Sequence, residues 1–170
     1  IPPSHWSWYP TSPSTTVKGI VELAIASEVN TGTSDILAVT PDALAGSTIG
    51  TKGFCVIAVA PTTDVSAAAG KAYIMIPECM NGMNLVRANA SVITAGTTNA
   101  TTIDIYNVTD SHDMLSTAIS IASAGTVGTA GTVNASYDDV ATNDVLRIDV
   151  TSASTTNAKG LQVILEFRLP

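Results

Sequence analysis

From Thr51 to Pro170 apolar and polar residues trade places at a period of two, the period at which a strand turns successive side chains to opposite faces. In the stretch Val86–Val92, the residues Val86, Ala88, Ala90 and Val92 are apolar, while Arg87, Asn89 and Ser91 point the other way. Ile103 and Ile105 alternate with Asp104 and Tyr106, and Leu146, Ile148 and Val150 alternate with Arg147 and Asp149. A last strand places Leu161, Val163, Leu165 and Phe167 on one side, with Gln162, Ile164, Glu166 and Arg168 opposite. Together with 54–60, 73–76 and 115–121 these make seven candidate strands, most of them separated by Gly, Asn, Asp and Ser turns. Many short strands without helices predict an all-β fold, an antiparallel β-sandwich of jelly-roll-like form. The run Phe54–Ala60 is apolar on both faces, which predicts a strand that is central or lies at a subunit contact. Residues 123–136 are low in complexity and read as a loop or a weak edge strand.

Composition narrows the function classes. An apolar fraction of 45% is that of a folded chain, but only 12% of residues are charged, and Ser and Thr supply roughly a quarter. Small side chains in place of long Lys and Glu suit strands that stack closely on neighbours. A net charge of −7 disfavours nucleic acid, because neutralising phosphates requires Lys and Arg. It equally disfavours an anionic membrane surface. No apolar run approaches the roughly 20 residues of a membrane span. The first residues show no signal-peptide blocks and no initiator Met, so a trimmed, processed or incomplete chain is expected. Cys55 and Cys79 lack metal-ligand spacing and are expected as buried strand thiols rather than a disulfide.

Residues 1–16, IPPSHWSWYPTSPSTT, differ from all that follows. Pro2, Pro3, Pro10 and Pro13 favour an extended path, and Trp6, Trp8 and Tyr9 are three of eight aromatics in the chain. An extended aromatic arm has no core of its own. Aromatic residues dominate interfaces, so Trp6, Trp8 and Tyr9 are expected to dock into a partner. Residues 17–50 contain a short strand at Ile20–Ala24 and a turn at Asn30–Thr33. Thr40-Pro41-Asp42 predicts a helix start, and Gly46 predicts its end about a turn later. Elements this small cannot bury a core alone, so burial against sister chains or a neighbouring domain is implied.

KGIVELA, EVNTG and AVTPDAL together resemble the short repeat of bacteriophage tail-fibre proteins, a Lys-Gly-hydrophobic strand leading to a Thr-Pro-x-x-Leu element. The pattern falls on Lys18, Gly19, Val21, Leu23, Ala24, Glu28, Val29, Gly32, Ala38, Val39, Thr40, Pro41 and Leu44. Tail fibres often carry many copies, whereas this chain has one, which suits a short or capsid-mounted fibre better than a long shaft. The phrasing of the body, IPECMNGMNL, ITAGTTNATTIDIYNVTD and DDVATNDVLRIDV, is similar to C-terminal sandwich domains of phage tail-fibre and head-fibre proteins. The resemblance implies a homotrimer on the outside of the virion. The domain plan expected is a docking arm at 1–16, a fibre segment at 17–50 and a sandwich at 51–170.

Residues with chemical potential are few. Asp110-Ser111-His112-Asp113 holds triad residue types, but a triad draws nucleophile, base and acid from separate segments, and no glycine-flanked nucleophile elbow is present. A polar hairpin turn is expected there. His5 is the only other histidine, so zinc chemistry is not expected. Asp138, Asp139 and Asp144 lack EF-hand spacing and its closing Glu, and are expected to form a turn rather than a calcium site. The pairs Glu22/Glu28 and Asp104/Glu166 are too generic to indicate glycoside cleavage. Asn-x-Ser/Thr matches at Asn89, Asn99, Asn107 and Asn134 carry no meaning for a phage product. The chain is therefore expected to be no enzyme, with no metal and no cofactor. Its expected partners are two copies of itself and a capsid or tail protein. The competing reading is a receptor- or carbohydrate-binding fibre tip that contacts a host cell-surface glycan, for which the body offers Tyr73, Tyr106, Tyr137 and two Phe.

Overall fold

The computed structural model describes residues 21–170. The chain divides into two compact units, the first ending at Gly50 and the second spanning Thr51–Pro170. The expected arm with Trp6, Trp8 and Tyr9 lies outside the described residues, as do Lys18 and Gly19.

In the first unit β1 (Leu23–Ala24) leads through α1 (Ala26–Thr31) to β2 (Ala38–Val39) and α2 (Pro41–Ala45). β1 and β2 pair in parallel, Leu23 opposite Ala38, a pairing that needs a crossover rather than a hairpin. That crossover is α1, which the sequence pattern did not predict: the expected turn at Asn30 is instead the end of a helix. Its stretch, ASEVNT, has modest helix propensity. The helix is fixed at its ends. The Glu28 carboxylate accepts the Ile25 N–H at 2.9 Å, and Gly32 closes the last turn at φ +62°. α2 forms as its sequence predicts: Thr40 Oγ1 accepts the Ala43 N–H at 3.0 Å, and the Gly46 N–H bonds the Asp42 carbonyl. Asn30 Oδ1 accepts from both the N–H and the hydroxyl of Thr48, at 2.7 and 2.8 Å, tying α1 to the turn after α2.

The second unit is antiparallel β. Its strands are β3 (Lys52–Ile57), β4 (Ala68–Met75), β5 (Met83–Thr94), β6 (Thr101–Asn107), β7 (His112–Asp113), β8 (Leu115–Thr117), β9 (Ile119–Ile121), β10 (Thr132–Val133), β11 (Asp139–Val140), β12 (Val145–Ser152) and β13 (Lys159–Arg168). One sheet has the order β11-β5-β13-β3; the other has the order β4-β12-β6-β7, with β9 also paired to β6. Taking β7 and β9 as one interrupted edge strand, the chain changes sheets at every long connection. That is jelly-roll connectivity. The inward residues of both sheets, among them Leu85, Leu165 and Phe167 from one and Ile103, Ile105 and Ile148 from the other, form a single buried cluster.

Three expectations are corrected by this arrangement. β3 is an edge strand, which removes the central alternative and leaves that of a subunit contact: among the described residues it pairs with β13 alone. Phe54 and Val56 turn inward against the core, which leaves Cys55 and Ile57 outward, so Cys55 is exposed rather than buried. Cys79 is also exposed and unpaired, in a short turn over Glu78–Met80. Val86 faces solvent although it shares parity with the buried Ala88, Ala90 and Val92. β13 pairs Glu166 with Arg87 but Phe167 with Leu85, so Val86 is the extra residue of a β-bulge. The bulge reverses the phase and turns Leu85 and Met83 inward.

The stretch 123–136 lies along the free side of β5, through the Ser91–Val127 bridge and the Gly128 and Gly131 N–H groups, which bond the Ala90 and Ala88 carbonyls. A Cβ on Gly131 would come within 2.8 Å of the Leu115 side chain. The small residues are there for close packing.

Candidate functional site

The Asp110–Asp113 segment comprises the end of the β6–β7 turn and β7 itself. Asn107 is buried at its base, and its side-chain carbonyl accepts the N–H groups of Thr109 and Asp110 at 3.0 and 3.3 Å. Its amide donates to Asp110 Oδ2 at 2.9 Å and Asp144 Oδ2 at 3.3 Å. Ser111 sits at φ +63° at the tip. His112 stacks on Tyr137, with ring centroids 3.9 Å apart and planes 14° from parallel. Asn107, Asp110, His112, Tyr137 and Asp139 line a cleft of about 290 Å³ at this end of the sandwich.

The three aspartates near 140 have separate tasks. The buried Asp144 accepts the Ala141 N–H at 2.7 Å and closes the turn before β12, whereas Asp139 faces the cleft and the Asp138 carbonyl accepts the Leu85 N–H. Among the described residues no three His, Cys, Asp or Glu side chains converge as metal ligands. Asp104 and Glu166 stand on different sheets, while Glu22 and Glu28 belong to the first unit, where Glu28 caps α1. No described helix is long and apolar enough to cross a membrane.

A second cluster lies on the outward face of the five-stranded sheet, and strand register builds it. Arg147 on β12 pairs with Tyr73 on β4 and with Tyr106 on β6, giving a row Tyr73–Arg147–Tyr106 across three strands. Asp149 is two residues along the same face. It clamps the guanidinium with both oxygens: Nε lies 2.8 and 3.0 Å from Oδ1 and Oδ2, and Nη2 lies 2.7 Å from Oδ2. The guanidinium carbon stands 4.6 Å from the centre of the Tyr106 ring. The hydrogen bonds that Arg147 donates to Asp149 hold its pKa above its usual value.

β4 is locally distorted beside this row. Ile148 pairs with Ala72 but Val150 with Ala68, so β4 carries extra residues there. Gly70, at φ +71°, occupies the distortion and donates its N–H to Asp149 Oδ1 at 2.7 Å. The hydroxyl end of Tyr73 lies over it, where a Cβ would approach to 2.6 Å. Asp104 completes the face opposite Asp149. Burial raises its pKa above 3.8, the bond from the Ile105 N–H works against that, and the charges of Asp113 and Asp149 add to the rise. The sequence shows Arg147-x-Asp149 on one strand face, but only register reveals that two tyrosines flank it.

The outward face of the four-stranded sheet differs. Ile57, Gln162 and Ser91 form one row, Cys55, Ile164 and Asn89 the next, and Gly53, Glu166 and Arg87 the third. The third row holds the Arg87–Glu166 ion pair at 3.4 Å. Ile57 and Ile164 are exposed.

Among its described residues the first unit buries Ala24, Ala43 and Ser47, while Val21, Leu23, Ile25, Ile36, Val39, Leu44 and Ile49 are exposed. Leu37, Val39, Leu44 and Ile49 line a shallow groove there with Ala24 and Val29.

No family model matches the chain, and no curated protein or solved structure matches it either.

Proposed function

We propose that the chain is a non-enzymatic structural subunit of a bacteriophage virion, a short homotrimeric fibre or decoration protein mounted on the capsid or tail through its N-terminal arm. The observation that carries this reading is the apolar surface exposed by the first unit's described residues, among which little is buried. Seven large apolar side chains lie outward over two buried alanines and a serine. Burying each contributes roughly 1.5–3 kcal/mol before the costs of association, which is ample to hold copies together. The occupant is a second and third copy of this chain. The fibre-like repeat, which supplies the trimer, lies in the same segment. Jelly rolls occur in viral capsid proteins and also in lectins and cupins, so fold alone does not select the role.

Within the second unit, the outward face around Ile57 and Ile164 is a separate surface suited to self-association. It carries one internally neutralised ion pair, so copies of a chain with net charge −7 approach there without strong repulsion. Among the described residues the outer edge of β3 has no strand partner, a natural place for another copy to pair.

Light scattering on the purified protein is expected to give three times 17.4 kDa, and a monodisperse monomer at micromolar concentration overturns the reading. Deleting residues 1–16 is expected to leave the trimer folded while abolishing its retention on purified particles. Co-sedimentation of the truncated protein at full occupancy places the anchor elsewhere. A hydrolytic activity lost in His112→Ala would contradict the non-enzymatic reading.

A further inference from the structure

We infer that the row Tyr73–Arg147–Tyr106 is a binding platform for a neutral saccharide. Three built features converge on it. The β4 distortion puts a left-handed glycine under Tyr73, in a conformation that favours residues without a Cβ. A carboxylate whose side chain is only 13% exposed holds both that glycine's N–H and the guanidinium. The guanidinium is in turn layered on Tyr106. Ordinary cross-strand pairing on a wet sheet face requires none of this. Supporting groups that fix orientation are what a recognition surface requires.

The chemistry selects the ligand. Tyr73 is 62% exposed, and its ring offers a π face to the C–H face of a pyranose. Arg147 Nε and Nη2 are taken by Asp149; Nη1 makes no hydrogen bond among the described residues, so it can donate to a hydroxyl. Asp104 uses one oxygen on the Ile105 N–H and retains the other as an acceptor. A donor and an acceptor beside aromatic rings match vicinal hydroxyls. Asp104, Asp113 and Asp149 outnumber the single guanidinium, which repels uronates, sialic acids and phosphates. The polar row suits a polyol better than an apolar peptide. This inference concerns one subunit's face and does not depend on the virion reading: a monomer that binds sugar leaves it standing, and a trimer that does not bind overturns it alone.

The test is an immobilised panel of neutral hexose oligosaccharides, with sialylated and uronate-containing ones alongside, probed with the full chain. Hits confined to related neutral glycans are expected, followed by titration of the best one. Tyr73→Ala removes an exposed side chain and is expected to weaken binding about tenfold or more with unchanged thermal unfolding. Gly70→Ala is expected to weaken it through Tyr73, and Tyr137→Ala to leave it unchanged. No neutral hit, hits only on acidic glycans, or a Tyr73→Ala affinity equal to wild type overturns the proposal.

Discussion

On the outward face of the four-stranded sheet the exposed Ile57, Ile164 and Cys55 stand among the uncharged Gln162, Ser91 and Asn89, beside an Arg87–Glu166 pair; on the opposite face of the same sandwich are two tyrosines, a clamped arginine and three aspartates. Both faces cover the same core, so the core cannot explain the difference. The first face mixes exposed isoleucines with uncharged polar side chains, and adjoins β3, whose outer edge has no strand partner among the described residues. The second is polar, locked by hydrogen bonds and distorted at Gly70. Neither pattern is what stability of one sandwich requires, and their separation is what the two proposals need, contact between copies on one side and saccharide contact on the other.

The sharpest way to break this comparison is to charge the first face. Ile57→Lys combined with Ile164→Lys is expected to lower the trimer fraction strongly in light scattering, while Tyr73→Lys on the other face leaves the mass unchanged. If both variants behave alike, the faces are equivalent and the assignment fails. A smaller effect tests the clamp. Asp149→Ala removes the acceptor of the Gly70 N–H and the partner of Arg147, and is expected to cost about 1–3 kcal/mol in denaturant unfolding. Loss near zero would mean that the row is held by the strands alone.

The smallest effect concerns Asp104. Its pKa is raised in the folded protein, so its protonated form contributes stability that is fully present below 3.8 and is lost as pH rises through the raised value. Asp104→Asn is therefore expected to raise Tm slightly at pH 7 and to leave it unchanged near pH 3. An equal shift at both pH values would point to packing rather than charge.

Strands were legible where alternation was long and uninterrupted, as in Leu161–Phe167, all of whose inward residues are buried. Alternation could not reveal the extra residue at Val86, because a bulge is a relation between two strands and β13 supplies the other half. Nor could it say that β3 lies at an edge: two-sided apolarity is the same whether sister strands or sister chains cover it. The helix start at Thr40 was readable from its own cap, whereas α1 depends on Glu28 reaching back to Ile25 and on Gly32. The Tyr73–Arg147–Tyr106 row was invisible for the same reason as the bulge. Its members are 33 to 74 residues apart in sequence (106 − 73 and 147 − 73), and only the pairing of β4, β12 and β6 makes them neighbours.

The position of β13 has a consequence for biogenesis. Residues 159–168 lie between β5 and β3, so the four-stranded sheet lacks its middle until they have been synthesised and have left the ribosome. A nascent chain reaching only residue 158 carries β3 and β5 with the edges that later take β13 still bare. Such edges are what templated misassembly uses. Closure of this sheet therefore waits for residues 159–168, and a ribosome stalled before residue 159 would expose β3 to the neighbouring nascent chain on the same message.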